Sequence, residues 1–286
     1  MEFKPDQFPQ KQEHYSILDR MVLERAHMEQ LPSVEKILSD MEQAVLNGKS
    51  EAAELIRELN LVGKIKEANS RVVLLDKSAV LGFFHSLQYG LNRDHPVYSD
   101  IEKMIKHFND SLGDHNTATK RIRVLVDASD VTGRNAFARA QVLSTVSHEI
   151  LHDIAKNFNL TWLNEGITER LTQGLLGDVI RNSKEWDEIF ANLESGEDDE
   201  VRFGSYEAER SQLTELTEKI RNNCSDYKNI PNGNYKELSA GESKVFKENF
   251  GRAYFSGDIA VLEKNLQELG YSSISELVDL DPSASE

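Results

Sequence analysis

The chain has 286 residues, enough for one large domain or for a domain with a helical appendage. Hydrophobic residues make up 39% and charged residues 29%, an ordinary soluble composition, and no apolar run approaches the roughly 20 residues that span a bilayer. With 49 acidic against 33 basic side chains, the net charge of −16 excludes a general nucleic-acid binder, which needs a basic footprint to neutralise phosphates.

A single cysteine, Cys224, allows no internal disulfide and suits a reducing compartment. The N-terminus has no basic region followed by an apolar stretch, so no Sec signal peptide is expected. A cytoplasmic location follows as the expectation, and leaderless delivery elsewhere is compatible with it.

In chain order, residues 15–31, 32–48 and 50–68 each carry apolar side chains three and four apart, punctuated by Pro or Gly. They predict a helical N-terminal region over residues 1–70, with a surface for partner contact. The runs "RVVLL" (71–75) and "RIRVLVDAS" (121–129) are β-branched and predict strands. Between them "SDIE" (99–102) has the form of a capping box opening a helix, as does "SISE" (273–276) near the end. The acidic 194–200 and polar 222–237 segments predict loops. The expected fold class is α+β and mostly helical, with a small sheet in a second domain over residues 71–286.

Within residues 138–156, free of Pro and Gly, Val142, Leu143, Val146, Ile150 and Ile154 line one helical stripe. His148 and His152 of "HEILH" then stand four apart on another face, where two imidazoles can share one Zn²⁺. Glu149 is turned so that its carboxylate can reach a water activated there rather than the metal itself. A third protein ligand is still needed, and "LTWLNEGITERLTQ" (160–173) places Glu165 and Glu169 one turn apart on a second helix. Either can serve: Glu165 as ligand with Glu169 hydrogen-bonded to a ligand histidine, or the reverse.

"HEILH" followed by "WLNEGITE" resembles the gluzincin zinc metallopeptidases, in which HExxH precedes a helix carrying Asn-Glu-x-x-x-Asp/Glu or Trp-Leu-x-Glu-Gly. The resemblance covers roughly residues 120 to 286. It implies a zincin-like core, His148, His152 and Glu165 as zinc ligands, Glu149 as general base and Glu169 behind the ligands. The 12 residues between His152 and Glu165 form a shorter connection than in the thermolysin-like and aminopeptidase branches. The resemblance extends to "YFSG" (254–257), where Tyr254 matches a tyrosine that opens a helix and donates to the oxyanion. Tyr206 is the alternative.

The implied activity is hydrolysis of peptide bonds in a protein or peptide substrate. Residues 131–138 offer an extended edge for that substrate's backbone. Two other readings share the metal site: a zincin-derived binding or regulatory module, and a zinc hydrolase of a non-peptide amide or ester. A thiol protease is disfavoured because Cys224 has no adjacent histidine. His85, His95, His107 and His115 lack ligand spacing.

Overall fold

The computed structural model describes residues 22, 32–110, 112–116, 121–126, 136–156, 158–194, 206–227 and 235–282. It is mostly helical with one three-stranded sheet among the described residues. The backbone divides into two units, Met1–Leu38 with Glu67–Glu149, and Ser39–Lys66 with Ile150–Glu286. Polar contacts that tie residues 48–58 into the second unit are described below.

In the first unit the two β-branched runs form β1 (Val72–Asp76) and β3 (Arg121–Val126), which pair in parallel, Leu74 beside Val124. Parallel neighbours need a crossover, and α4 (Lys77–Tyr89) and α5 (Tyr98–Asp110) supply it. Asp76 caps α4, its side chain accepting from the Ala79 amide at 3.1 Å. Leu75, Val80, Phe83, Phe84, Ile101, Phe108, Leu125 and Val22 form the core of this unit. Burial of each such large side chain contributes about 2 kcal/mol. The helix α5 begins at Tyr98, so the "SDIE" box lies inside its first turn, where Asp100 meets Lys103 at 3.8 Å instead of capping.

The third strand, β2 (Gly113–Asn116), pairs antiparallel with β3 and is one edge of the sheet, ordered β1-β3-β2. Asp114 stands opposite Arg123 in that register, and the two side chains form an ion pair. Arg123 also lies over the Phe108 ring at 5.1 Å, and His107 Nε2 is 3.0 Å from Asp114 Oδ2. Gly113 is required by close approach: a Cβ there would lie 2.6 Å from Thr145 Cγ2 and 3.3 Å from Glu149 Cγ.

The helices α1 (Pro32–Asn47), α3 (Val62–Asn69) and α6 (Ala136–Ile154) each run across the division between units. In the second unit, α2 (Glu51–Glu58) is capped by Ser50, and Asn60 at φ 56° separates it from α3 (Val62–Asn69) where one continuous helix was expected. The long helix α7 (Thr161–Asn182) is buried along most of its length. Its Asp178 accepts from the backbone amides of Lys49 and Ser50, and its Arg170 pairs with Glu51. These bonds group residues 48–58 with the later helices.

Next come α8 (Lys184–Glu194), α9 (Glu207–Asn223) and α10 (Tyr235–Phe246). The run continues through a π-helical turn, Lys247–Gly251, into α11 (Arg252–Ser256), followed by α12 (Ala260–Glu268) and a 3₁₀ segment, Ile274–Leu280. The expected loops are therefore shorter: Glu194, Asn222, Asn223 and Tyr235 are helical, and Cys224 is fully buried at the end of α9. "SISE" opens the 3₁₀ segment, and Glu276 accepts from the amide of Ser272 rather than Ser273.

Burial alone pushes the Asp114 carboxyl up, but hydrogen bonds from His107 and Arg123 and the charges of both outweigh it and hold the group below its ordinary range. Asp114→Ala leaves Arg123, 8% exposed, without its carboxylate and should cost about 3 kcal/mol near neutral pH. The folded pKa is depressed, so this stability is fully present above about pH 4 and is lost as pH falls through the folded value. Urea denaturation at pH 7 and pH 3 should show the gap between the two proteins shrinking at the lower pH.

Candidate metal centre

The stripe Val142, Leu143, Val146, Ile150 and Ile154 is buried, which fixes the rotation of α6 about its axis and with it the positions of His148 and His152. Both histidines belong to this one continuous helix. His148 is buried at 9% exposure, and the side chains of His152 and Glu165 are 14% and 18% exposed. Each of the three offers one ligand atom, and these atoms all lie within 4.8 Å of one another. His152 Nε2 and Glu165 Oε2 are 3.1 Å apart.

The chain must turn back after Ile154 to bring Glu165 there, and the residues around Glu165 fix that turn. Asn164 Oδ1 accepts from the Phe158 amide at 2.7 Å, while its Nδ2 donates to the Phe158 carbonyl at 2.6 Å. The Lys156 amide donates to the Tyr254 carbonyl at 2.8 Å. Trp162 is buried and donates its indole N–H to the Leu277 carbonyl at 3.1 Å. Leu163 is fully buried, and a Cβ on Gly166 would stand 2.7 Å from the Glu209 carbonyl oxygen. In "WLNEG" four residues therefore position the first turn of α7, and Glu165 is the one that faces the two histidines.

Of the two glutamates open to the ligand role, Glu165 is the one grouped with the histidines. Glu169 is buried at 4% exposure and accepts from Gln173 Nε2 at 2.7 Å. Glu149 is half-buried on α6 next to His148, at the point where Gly113 of β2 comes close. The substrate edge expected over residues 131–138 is not an extended one where it is described, since Ala136, Phe137 and Ala138 are the first turn of α6. Residues 131–135 lie outside the described residues.

Tyr254 is placed differently from the expectation. The tetrapeptide closes a helix rather than opening one, because Gly257, at φ 78°, is the left-handed cap that ends α11. The Tyr254 ring is fully buried, with its hydroxyl 2.5 Å from Thr168 Oγ1 and 3.4 Å from His152 Nδ1. Tyr206 is the N-cap residue of α9, and α8 intervenes between it and the glutamate helix. The Cys224 thiol is buried against the Asn265 carbonyl at 3.4 Å. Thr168, which carries no metal-ligand chemistry and gave no signal in the sequence, is the functional neighbour that sequence reasoning missed.

No protein family, curated protein or solved structure was found to match this chain.

Metal titration of protein purified without metal should find about one tight Zn²⁺ per chain. His148→Ala and His152→Ala should lose it, and Glu165→Gln should weaken it more than Glu169→Gln. The reverse order of the two glutamates would show that Glu169 is the ligand.

Proposed function

We propose that this chain is a zinc-dependent peptidase that hydrolyses peptide bonds, with a zincin-like arrangement of α6 and α7. The observation that carries the reading is the grouping of His148, His152 and Glu165 around one point, with Glu149 adjacent on the same helix. Two imidazoles and one carboxylate suit Zn²⁺, and three protein ligands leave a position open, as hydrolytic rather than purely structural sites do. When bound, the ion would polarise the scissile carbonyl and bring the pKa of a coordinated water towards roughly 7.

His148, His152 and Glu165 would hold the ion. Glu149 is not in the ligand group, and its carboxylate takes a proton from the attacking water. The same carboxyl then returns the proton to the nitrogen of the leaving amine. A buried glutamate beside a closed four-ligand site would have no such task.

A peptide substrate is supported by the position of β2. Among the described residues it is one of the two edge strands, and its Gly113 passes against α6 at Thr145 and Glu149. An extended peptide can pair with such an edge and so bring its backbone beside the proton acceptor. No described helix is long and apolar enough to cross a membrane. Of the N-terminal helices expected to offer a partner contact, the first, residues 15–31, lies outside the described residues apart from Val22.

Glu149→Gln should keep its zinc and its melting temperature while kcat falls by about 10²- to 10⁴-fold. Labelling of new N-termini in a protein mixture, wild type against Glu149→Gln, reads out both activity and substrate. Wild-type turnover in Glu149→Gln would remove the general-base assignment. Gly113→Val forces a side chain onto Thr145 and Glu149; it should retain zinc and lower kcat, by about 10²-fold if Glu149 moves by an ångström.

A further inference from the structure

His152 has two ring nitrogens, and only one can face the metal position. Nε2 stands 3.1 Å from Glu165 Oε2. Nδ1 is on the other side of the ring, 3.5 Å from Thr168 Oγ1 and 3.4 Å from the Tyr254 hydroxyl. Both Thr168 and Tyr254 are fully buried, so water does not compete for these atoms.

Counting hydrogens gives this cluster a direction. Thr168 has one hydroxyl hydrogen and donates it to the Asn164 carbonyl at 2.7 Å, one helical turn back. Its Oγ1 therefore accepts in the 2.5 Å contact with Tyr254, which uses the tyrosine's only hydroxyl hydrogen. Each oxygen then presents lone pairs to Nδ1. Nδ1 must carry the proton, and Nε2 presents its lone pair on the Glu165 side.

We infer that Thr168 and Tyr254 form a one-way hydrogen-bond relay, anchored on the Asn164 carbonyl, that holds His152 as the Nδ1–H tautomer and reserves Nε2 for the metal. The inference rests on the metal-centre reading. It makes both residues positioning residues, since they act on the ion only through His152. It also replaces the oxyanion role for Tyr254, whose hydroxyl hydrogen is directed to Thr168. Asn164 thereby serves twice, holding the turn with its side-chain amide and orienting the relay with its carbonyl.

The relay predicts a pattern that packing alone would not. Thr168→Val frees the tyrosine hydroxyl to donate to Nδ1, which favours the wrong tautomer. Tyr254→Phe leaves Thr168 Oγ1 still accepting from Nδ1–H. Zinc dissociation constants from chelator competition should weaken by about 100-fold in Thr168→Val and about 10-fold in Tyr254→Phe, the span usual for groups that orient a ligand histidine. The double variant should bind no more weakly than Thr168→Val alone, and Thr168→Ser, which keeps the hydroxyl, should bind as wild type does. Unchanged zinc affinity in Tyr254→Phe, or losses that simply add in the double variant, would overturn the relay while the metal centre stands. Undiminished zinc in His148→Ala would instead remove the metal centre itself.

Discussion

Glu165 can return to His152 only if the chain reverses between Ile154 and Thr161, and the Asn164 side chain holding both backbone groups of Phe158 is what sets that reversal. A carboxamide matches a peptide group donor for acceptor, so one residue satisfies an amide and a carbonyl that a loop would otherwise leave to solvent. The rest of the centre depends on it. With only 12 residues between His152 and Glu165, a small change in the turn would carry Glu165 away from the imidazoles. Trp162 and Gly166 brace the same turn from either side, one by a hydrogen bond to Leu277 and one by bare proximity to Glu209.

Charge is used inside the second unit in the opposite sense to its surface excess. A chain with sixteen more acidic than basic groups places Arg170 between Glu51 and Glu242 and over the Phe246 ring at 4.2 Å. Desolvation pushes the guanidinium's pKa down, but the two carboxylates raise it further than burial lowers it, so the charge is kept. Such a cluster adds little net stability over well-packed apolar residues, but its geometry is exacting. It fixes where α2, α7 and α10 meet. Asp178 does the same for the residues before α2, accepting from two consecutive backbone amides and from Arg181.

What the sequence disclosed follows from the range of each interaction. HExxH was legible because both histidines sit on one helix, where a spacing of four is itself a geometry. β1 and β3 were legible from β-branching. β2 was not: "GDHN" is short and polar, and it is a strand by its pairing with β3, where Asp114 meets Arg123 across the ladder. Glu165 could be proposed but not separated from Glu169, since one helical turn on α7 can be resolved only by knowing how α6 crosses it. The signature "WLNEG" was visible as a pattern, while the separate tasks of Trp162, Asn164 and Gly166 were not, because their partners lie 115, 6 and 43 positions away. Tyr254 misled for the same reason: the tetrapeptide says nothing of Thr168.

The π-helical turn at Lys247–Gly251 has a consequence for rotational phase. Glu242 and Tyr254 lie twelve positions apart on one continuous helical run, and both meet α7, at Arg170 and Thr168. In an unbroken α-helix, at about 100° per residue, twelve steps would turn Tyr254 about 120° from Glu242. The widened turn, in which the Arg252 amide reaches back to the Lys247 carbonyl, absorbs one residue and leaves an offset of only about 20°. The widened turn thus acts as a phase correction that lets one helix present an ion-pair partner and a tyrosine hydroxyl to the same neighbour, and tightening it to α-helix with all its residues kept would rotate one of them out of reach.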